Sequence, residues 1–592
     1  MKSTEISANS PQAFESVFEG FAVWVNGSTS ASTLQESLLS QLGSDWVVTP
    51  FGSHSDSSPN GFNITSVERQ LSIAEAWQIS RQLKTLPDIV YAEPLFEVAI
   101  SGRPDWNNTT LNLLTTDPDA AALYPESLIF GEESHLTESN DPEWSLNQMR
   151  ILEAWARFFS DPTKLPGQGI VIGHPDTGYR PHPEILANLL VAQGKDFLKN
   201  DLDSTDELER PNGVLISNPG HGTATSSVII SPQGDQTPGN KNTKFVTGVA
   251  SGAKLIPLRV TYSVVLLGMM KLAQSIYYAT DQGAHVISIS LGGLGSLFLR
   301  SAIAYAQKNG VIVAAAAGNV VRFVVWPAAY DEVIAVAASN AKGETWSGSC
   351  RGKKVDITAP GESVWCAASK KDNDDSVTRG KGTSFSVAEV AGIAALWLSY
   401  HDRQKLIEKY GVENIPALFN YMLIKSCNLP TGWDTNNFGA GIVDAEKLLA
   451  TPLPDNINEI TPPLLLNFEE RFSSQADEME ILKQLFGENA SEILLQQGTN
   501  NFDSDILIEE NLAKLLGSNK TDLPLRLKEV GQELAFNFAT NPDLYNTFLD
   551  EITQQETDGD SDFLDSDNIQ SSREILMTKK ISQELKQGLQ QV

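Results

Sequence analysis

The chain has 592 residues, 41% hydrophobic and 20% charged, which is too long for a single core and too apolar for disorder throughout. Its 43 Lys and Arg face 74 Asp and Glu, a net charge of −31, which excludes the basic face needed for nonspecific binding to nucleic acid or an anionic membrane. Three cysteines, Cys350, Cys366 and Cys427, are too few for a disulfide scaffold or a four-cysteine zinc site.

The opening residues, MKSTEISANSPQAFESVF, hold no apolar run behind a basic start, and no uninterrupted apolar stretch reaches about 18 residues. A cytoplasmic protein without signal peptide or membrane insertion is the expectation. Within residues 1–101, a β-like run (FAVWV), a helical run (SIAEAWQISRQLKTL) and a second β-like run (DIVYAEPLFEVAI) predict a small α+β domain. Residues 102–140 are rich in Asp, Asn, Thr, Pro and Glu with little periodicity, and read as a linker.

Residues 141–450 change character. GIVIGHPD, KLIPLRV, HVISISLGG, VIVAAAAGN and VIAVAAS are continuous apolar runs, separated by the helical stretches MMKLAQSIYYATDQG and LFLRSAIAYAQKNG. Strands apolar on both faces and alternating with helices predict an α/β fold, a parallel sheet with helices on both faces. Residues 451–592 carry helical segments such as EMEILKQLFG and IEENLAKLLG, an acidic helical extension. No histidine follows His401, so the extension is expected to bind a regulatory partner and not to do chemistry.

Three segments of the α/β zone carry a chemical pattern. VIGHPDTGY sets Asp176 at a strand end before a turn, NPGHGTATSS opens a helix at His221, and GKGTSFSVAEVAG sets Ser384 between a Gly-Thr turn and a long apolar helix. Serine is a weak nucleophile until a base takes its proton, and a histidine base needs a carboxylate to fix its tautomer. An Asp-Thr-Gly turn also occurs in aspartic proteases, and a lone histidine is more often structural. The order Asp, His, Ser, with Asn319 in AAAAGN, is what gives the set its weight.

That combination resembles the subtilisin-like serine proteases, the subtilases. DPEWSLNQMRILEAW, TGVASGAKLIPLRV, DQGAHVISISLGG, WPAAYDEVIAVAAS, VDITAPGESVWCA and NFGAGIVDAEKLL extend the similarity across residues 141–450. The resemblance implies that Asp176 orients the base, His221 is the base and Ser384 the nucleophile. Asn319, with the Ser384 N–H, would stabilise the oxyanion. It implies that Ser290, Leu291 and Gly292 form the edge on which an extended protein or peptide substrate pairs. Val324 and Val325 would lie near an apolar specificity pocket, and Arg322 could reach an acidic side chain there.

The resemblance further makes residues 1–101 a prodomain, since DIVYAEP is similar to the end of subtilase propeptides, and puts a processing site in residues 102–140. The expected product is a serine endopeptidase made as a self-inhibited precursor. A protease dedicated to one partner, in maturation or bacterial defence, is a second reading, and a catalytically silent peptide-binding scaffold a third. No cofactor is implied. Asp201, Asp203 and Asp206 lie where some subtilases hold calcium, and a solvated acidic loop is the favoured alternative. DGDSDFLDSDN begins like a calcium loop but has Phe563 where that loop needs glycine.

Several positions depart from the family pattern. His174 and Pro175 stand before Asp176 where aliphatics are usual. Ala224, Lys381, Ala388 and Glu389 replace a His, a Ser, a Pro and a His.

Overall fold

The computed structural model describes residues 14–25, 30–43, 45–50, 61–66, 71–86, 88–100, 139, 141–161, 163–208, 218–232, 245–266, 268–319, 323–368, 374–460, 477–496, 503–554, 570–579 and 581–590. The expected processing segment (all but residues 139 of 102–140), Arg322 and the DGDSDFLDSDN stretch lie outside the described residues.

The N-terminal region consists of β1 (Phe14–Val25), α1 (Ala31–Leu42), β2 (Trp46–Pro50), β3 (Gly61–Ser66), α2 (Ile73–Lys84) and β4 (Ile89–Ile100). Its strands form an antiparallel sheet in the order β2-β3-β1-β4. α2 begins with a reciprocal cap: Glu75 N–H donates to the Ser72 hydroxyl, and Ser72 N–H donates to the Glu75 carboxylate. Strand period two divides the sheet. Phe21 and Val23 pack with Trp46 and Trp77, whereas Ala22 and Trp24 join a second core outside the domain.

That second core belongs to the α/β region. The elements that build its sheet and position the site include β5 (Val171–Asp176), β6 (Lys195–Asp196), α3 (His221–Ile230), β7 (Lys254–Arg259), β8 (Val265–Leu266), α4 (Met270–Asp281), β9 (Val286–Ile289), β10 (Gly292–Gly293), α5 (Leu297–Lys308), β11 (Ile312–Ala316), β12 (Ile334–Ser339), β13 (Ile357–Pro360), β14 (Val364–Ala367), β15 (Val377–Gly380) and α6 (Thr383–His401). Seven strands make one parallel sheet in the order β13-β12-β11-β9-β5-β7-β6. The continuous apolar runs are explained by burial on both sides. In β11, Val313 and Ala315 face the core of α4 and α5, while Ile312, Ala314 and Ala316 face that of α3 and α6. Pro175 lies past the end of the β5–β9 pairing, which stops at Gly173, where a missing ladder donor is tolerated.

The C-terminal extension is helical: α7 (Asp477–Gln496), α8 (Ser504–Leu515), α9 (Leu523–Thr540), α10 (Pro542–Gln554), α11 (Gln570–Met577) and α12 (Gln583–Gln590). Phe486, Phe538 and Phe548 form its centre, with ring centroids 4.8–5.0 Å apart. It is not an appendage. Its apolar residues belong to the same core as Phe298 and Val324 of the α/β region. α9 also reaches the N-terminal sheet, where Phe536 lies 5.0 Å from Phe96 and 6.3 Å from Trp77. Among the described residues no helix is long and apolar enough to cross a membrane.

Candidate active site

Asp176 ends β5, Asn319 follows β11, and His221 and Ser384 occupy the first turns of α3 and α6. All four therefore gather at the carboxyl ends of the parallel strands, the edge where open α/β sheets bind ligands. Gly220, at φ 79°, turns the chain into α3. Gly222 must be glycine for a second reason: a Cβ there would collide with Gly178 O of the turn after Asp176.

His221 Nδ1 lies 2.7 Å from Asp176 Oδ1, and both side chains are almost fully buried. The same oxygen accepts Thr177 N–H at 2.7 Å. Burial pushes the Asp176 carboxyl up. The charge and hydrogen bond of His221, with the charge of His174, outweigh burial and hold the carboxyl below the ordinary carboxylate range.

Asp206 was not singled out for this role by the sequence, yet it ties the two segments together. Its Oδ2 accepts from Thr177 Oγ1 and from Gly220 N–H, both at 2.7 Å, so one carboxylate links the residue after Asp176 to the residue before His221. Burial raises it to about 6 despite these two donors. Nothing in an acidic loop distinguishes this aspartate from its neighbours. Asp201 Oδ1 accepts from Asp203 N–H, and Asp203 Oδ1 accepts from Thr205 N–H and Oγ1, the bonds of successive turns. Among the described residues no group of three or more His, Cys, Asp or Glu side chains is arranged to hold a metal ion.

Ser384 is 5% exposed, at the positive end of the α6 dipole. Its hydroxyl donates to Ser290 O at 3.4 Å, and among the described residues no hydrogen bond joins it to His221. Such contacts are often long before substrate binds. Asn319 Oδ1 accepts from Thr383 N–H at 2.9 Å and Thr383 Oγ1 at 3.0 Å, so the donor this side chain has to offer is Nδ2. Gly382, at φ 138°, brings the α6 turn against that amide, and a Cβ there would lie 3.1 Å from Nδ2.

The expected substrate edge is already paired. Gly292 N–H donates to Val264 O at 3.0 Å, and β10 runs parallel to β8. Gly293 exchanges backbone bonds with Trp326 at 2.9 and 3.1 Å. Leu291 is buried. Val325 packs against Gly292 and Gly318, where a Cβ on either glycine would meet it. Val324 is fully buried, with its carbonyl 3.4 Å from Gln484 Nε2 of α7. Of the departures, Ala224 and Ala388 are core residues. Glu389 is fully buried, and burial raises its carboxyl well above the ordinary range.

An acidic, histidine-based, serine-bearing centre on a parallel α/β sheet defines a hydrolase of the serine protease type. A subtilase family model (Peptidase_S8) matches residues 167–441. Thermitase of Thermoactinomyces vulgaris is 34% identical over 44% of this chain and 85% of its own length. Subtilisin DY of Bacillus licheniformis is 30% identical over 47% of this chain and 90% of its own. Fervidolysin from Fervidobacterium pennivorans shares the fold, with a TM-score of 0.50 at 21% identity over 74% of this chain and 62% of its own. The chain belongs to the subtilase family of serine proteases.

Proposed function

We propose that the chain is an endopeptidase that cuts peptide bonds through an acyl-enzyme, and that it is made as a self-inhibited precursor. Ser384 Oγ attacks the scissile carbonyl while His221 takes its proton at Nε2, and Asp176 holds the Nδ1–H of the resulting imidazolium. Asn319 Nδ2 and the Ser384 N–H stabilise the oxyanion. The tetrahedral intermediate collapses to an ester as His221 returns the proton to the leaving amine, and water then repeats the sequence on the ester. The 2.7 Å contact between two buried groups, Asp176 and His221, carries this reading. A fluorophosphonate probe is expected to label the active protease and not its Ser384→Ala variant. Equal labelling of both would overturn the assignment, and no labelling of processed wild type would favour the silent scaffold.

Substrate entry requires displacing internal bonds. A peptide strand competes for Ser290 O, which accepts the Ser384 hydroxyl, and for Gly292 N–H, which is bound to Val264 O. Leu291 and Val325 make the neighbouring pocket apolar, so cleavage after basic residues is not expected in a peptide-library profile.

Two contacts support self-inhibition. β4 passes so close to the groove wall that a Cβ on Gly268 would lie 2.6 Å from Phe96 O. Arg81 of α2 is paired with Glu533 at 3.1 Å and with Glu584 at 3.0 Å, so the helical extension braces the N-terminal domain from outside. The regulatory partner of the extension is then this chain itself. A tethered domain occupies its site intramolecularly, so modest intrinsic affinity suffices. Intact-mass measurement is expected to find wild type losing its N-terminal region on incubation and Ser384→Ala remaining full length. Full activity without any such loss would make the domain an accessory.

A further inference from the structure

His174 precedes Asp176 by two residues on β5, so the two side chains share one face of the strand. Its ring is 2% exposed. Nδ1 lies 3.2 Å from Ser288 O, and Nε2 lies 2.9 Å from Thr225 Oγ1 and 3.7 Å from Asp176 Oδ2. A carbonyl only accepts, so Nδ1 carries a proton. The Thr225 hydroxyl can donate to His221 O at 3.0 Å while accepting from a protonated Nε2, or turn and donate to a neutral Nε2. The site therefore accommodates both protonation states of His174.

Asp176 Oδ2 gives the ring its significance. Among the described residues no hydrogen bond reaches this buried oxygen. The hydroxyl nearest in sequence, that of Thr177, is turned away to Asp206. The two oxygens of Asp176 thus have separate surroundings, with His221 on Oδ1 and His174 near Oδ2.

We propose that His174 is a positioning residue for the reaction: it holds Asp176 from the side opposite His221 and competes with His221 for the charge of that carboxylate. The inference rests on the assignment of Asp176 and His221 made above. Two imidazolium ions flanking one carboxylate repel each other, so protonation of either ring opposes protonation of the other. The titratable groups acting on His174 are Asp176 on its own strand and His221 on α3. β9 presents only the Ser288 carbonyl, and Arg259 on β7 is taken up by Asp196 and Glu207. Burial lowers the imidazole, and the charge of Asp176 opposes that by raising it. In acid, His174 takes a share of Asp176 and makes His221 a weaker base.

The test compares pH profiles of kcat and kcat/KM for processed wild type, His174→Val and His174→Gln, with circular dichroism confirming that each is folded. His174→Val removes both tethers, and kcat is expected to fall about tenfold with KM changed less than about twofold. His174→Gln keeps a polar group within reach of Thr225 and is expected to recover most of kcat. Neither variant titrates at this position, so the acid limb of kcat/KM moves to higher pH in both, by about half a unit. If His174→Val does not fold, the acid limb of His174→Gln carries the test. An acid limb superimposable on wild type in the folded variants would make the ring mere filling and overturn the inference. Ser384→Ala separates the two levels. If it retains activity, the assignment of the site fails; if it is inactive while the His174 variants behave as wild type, only the role of His174 fails.

Discussion

Arg81 and Glu533 are 452 positions apart in the chain, yet their side chains meet at 3.1 Å, with the glutamate fully buried and the arginine partly so. Glu533 also accepts from Ser582 N–H and Oγ, both at 2.6 Å, which leaves Arg81 as its charge partner. Arg81→Ala strands a buried carboxylate and is expected to cost roughly 3 kcal/mol. Calorimetry should find lower stability, and limited proteolysis should find the extension opening first. An unchanged melting profile would mean that the pair does not hold the two ends together.

Catalysis is expected to depend on the site as a unit. Ser384→Ala and His221→Ala should each lower turnover by orders of magnitude, with little further loss in the double variant. Asn319→Ala should cost about 2.7–4 kcal/mol in the transition state, because Nδ2 is the donor left after Thr383 engages the amide oxygen. Steady-state kinetics on a short peptide decide this, and additive losses would contradict it.

Asp206 provides a third test. Asp206→Ala withdraws the acceptor shared by Thr177 Oγ1 and Gly220 N–H, so the Asp176 turn and the start of α3 lose their common anchor. A fall in kcat of about tenfold is expected, with Asp206→Asn closer to wild type because its carbonyl oxygen still accepts. Equal activity of the alanine and asparagine variants would show that the anchor is dispensable.

Glu93 makes the folded N-terminal domain sensitive to pH. Burial raises its carboxyl to about 7, against hydrogen bonds from Tyr91 and Ser296 and the charge of Lys84. A raised carboxyl binds its proton more tightly in the folded state than in the unfolded one. Its stabilisation is complete below the ordinary value near 4.5 and is lost as pH rises through about 7. Melting temperatures measured from acid to alkaline pH should decline for wild type across that window and stay flatter for Glu93→Gln. Parallel curves would remove Glu93 from the account.

What was legible in the sequence follows from what each residue must satisfy. The strands were readable because residues such as Ile312 and Val313 are buried on opposite faces, which demands an unbroken apolar run. Asp176 and His221 were readable because their chemistry limits the residue types allowed. Asp206 was not, because it reaches Thr177 across 29 positions and looks like any acidic loop residue. Periodicity identified α9 as a helix but could not say that Phe536 would meet Phe96 and Trp77. Gly292 was expected at an open strand edge, and only the fold brings Val264 alongside to close it.

The alternation along β11 has a wider consequence. Val313 and Ala315 touch the flank on which the N-terminal and C-terminal regions were added, and Ile312, Ala314 and Ala316 touch the flank that carries α3 and α6. One strand thickness thus divides the interior shared with the two terminal regions from the interior behind α3 and α6. Substitutions of one parity can accumulate without repacking the other side, so the two halves of this enzyme are free to diverge at different rates.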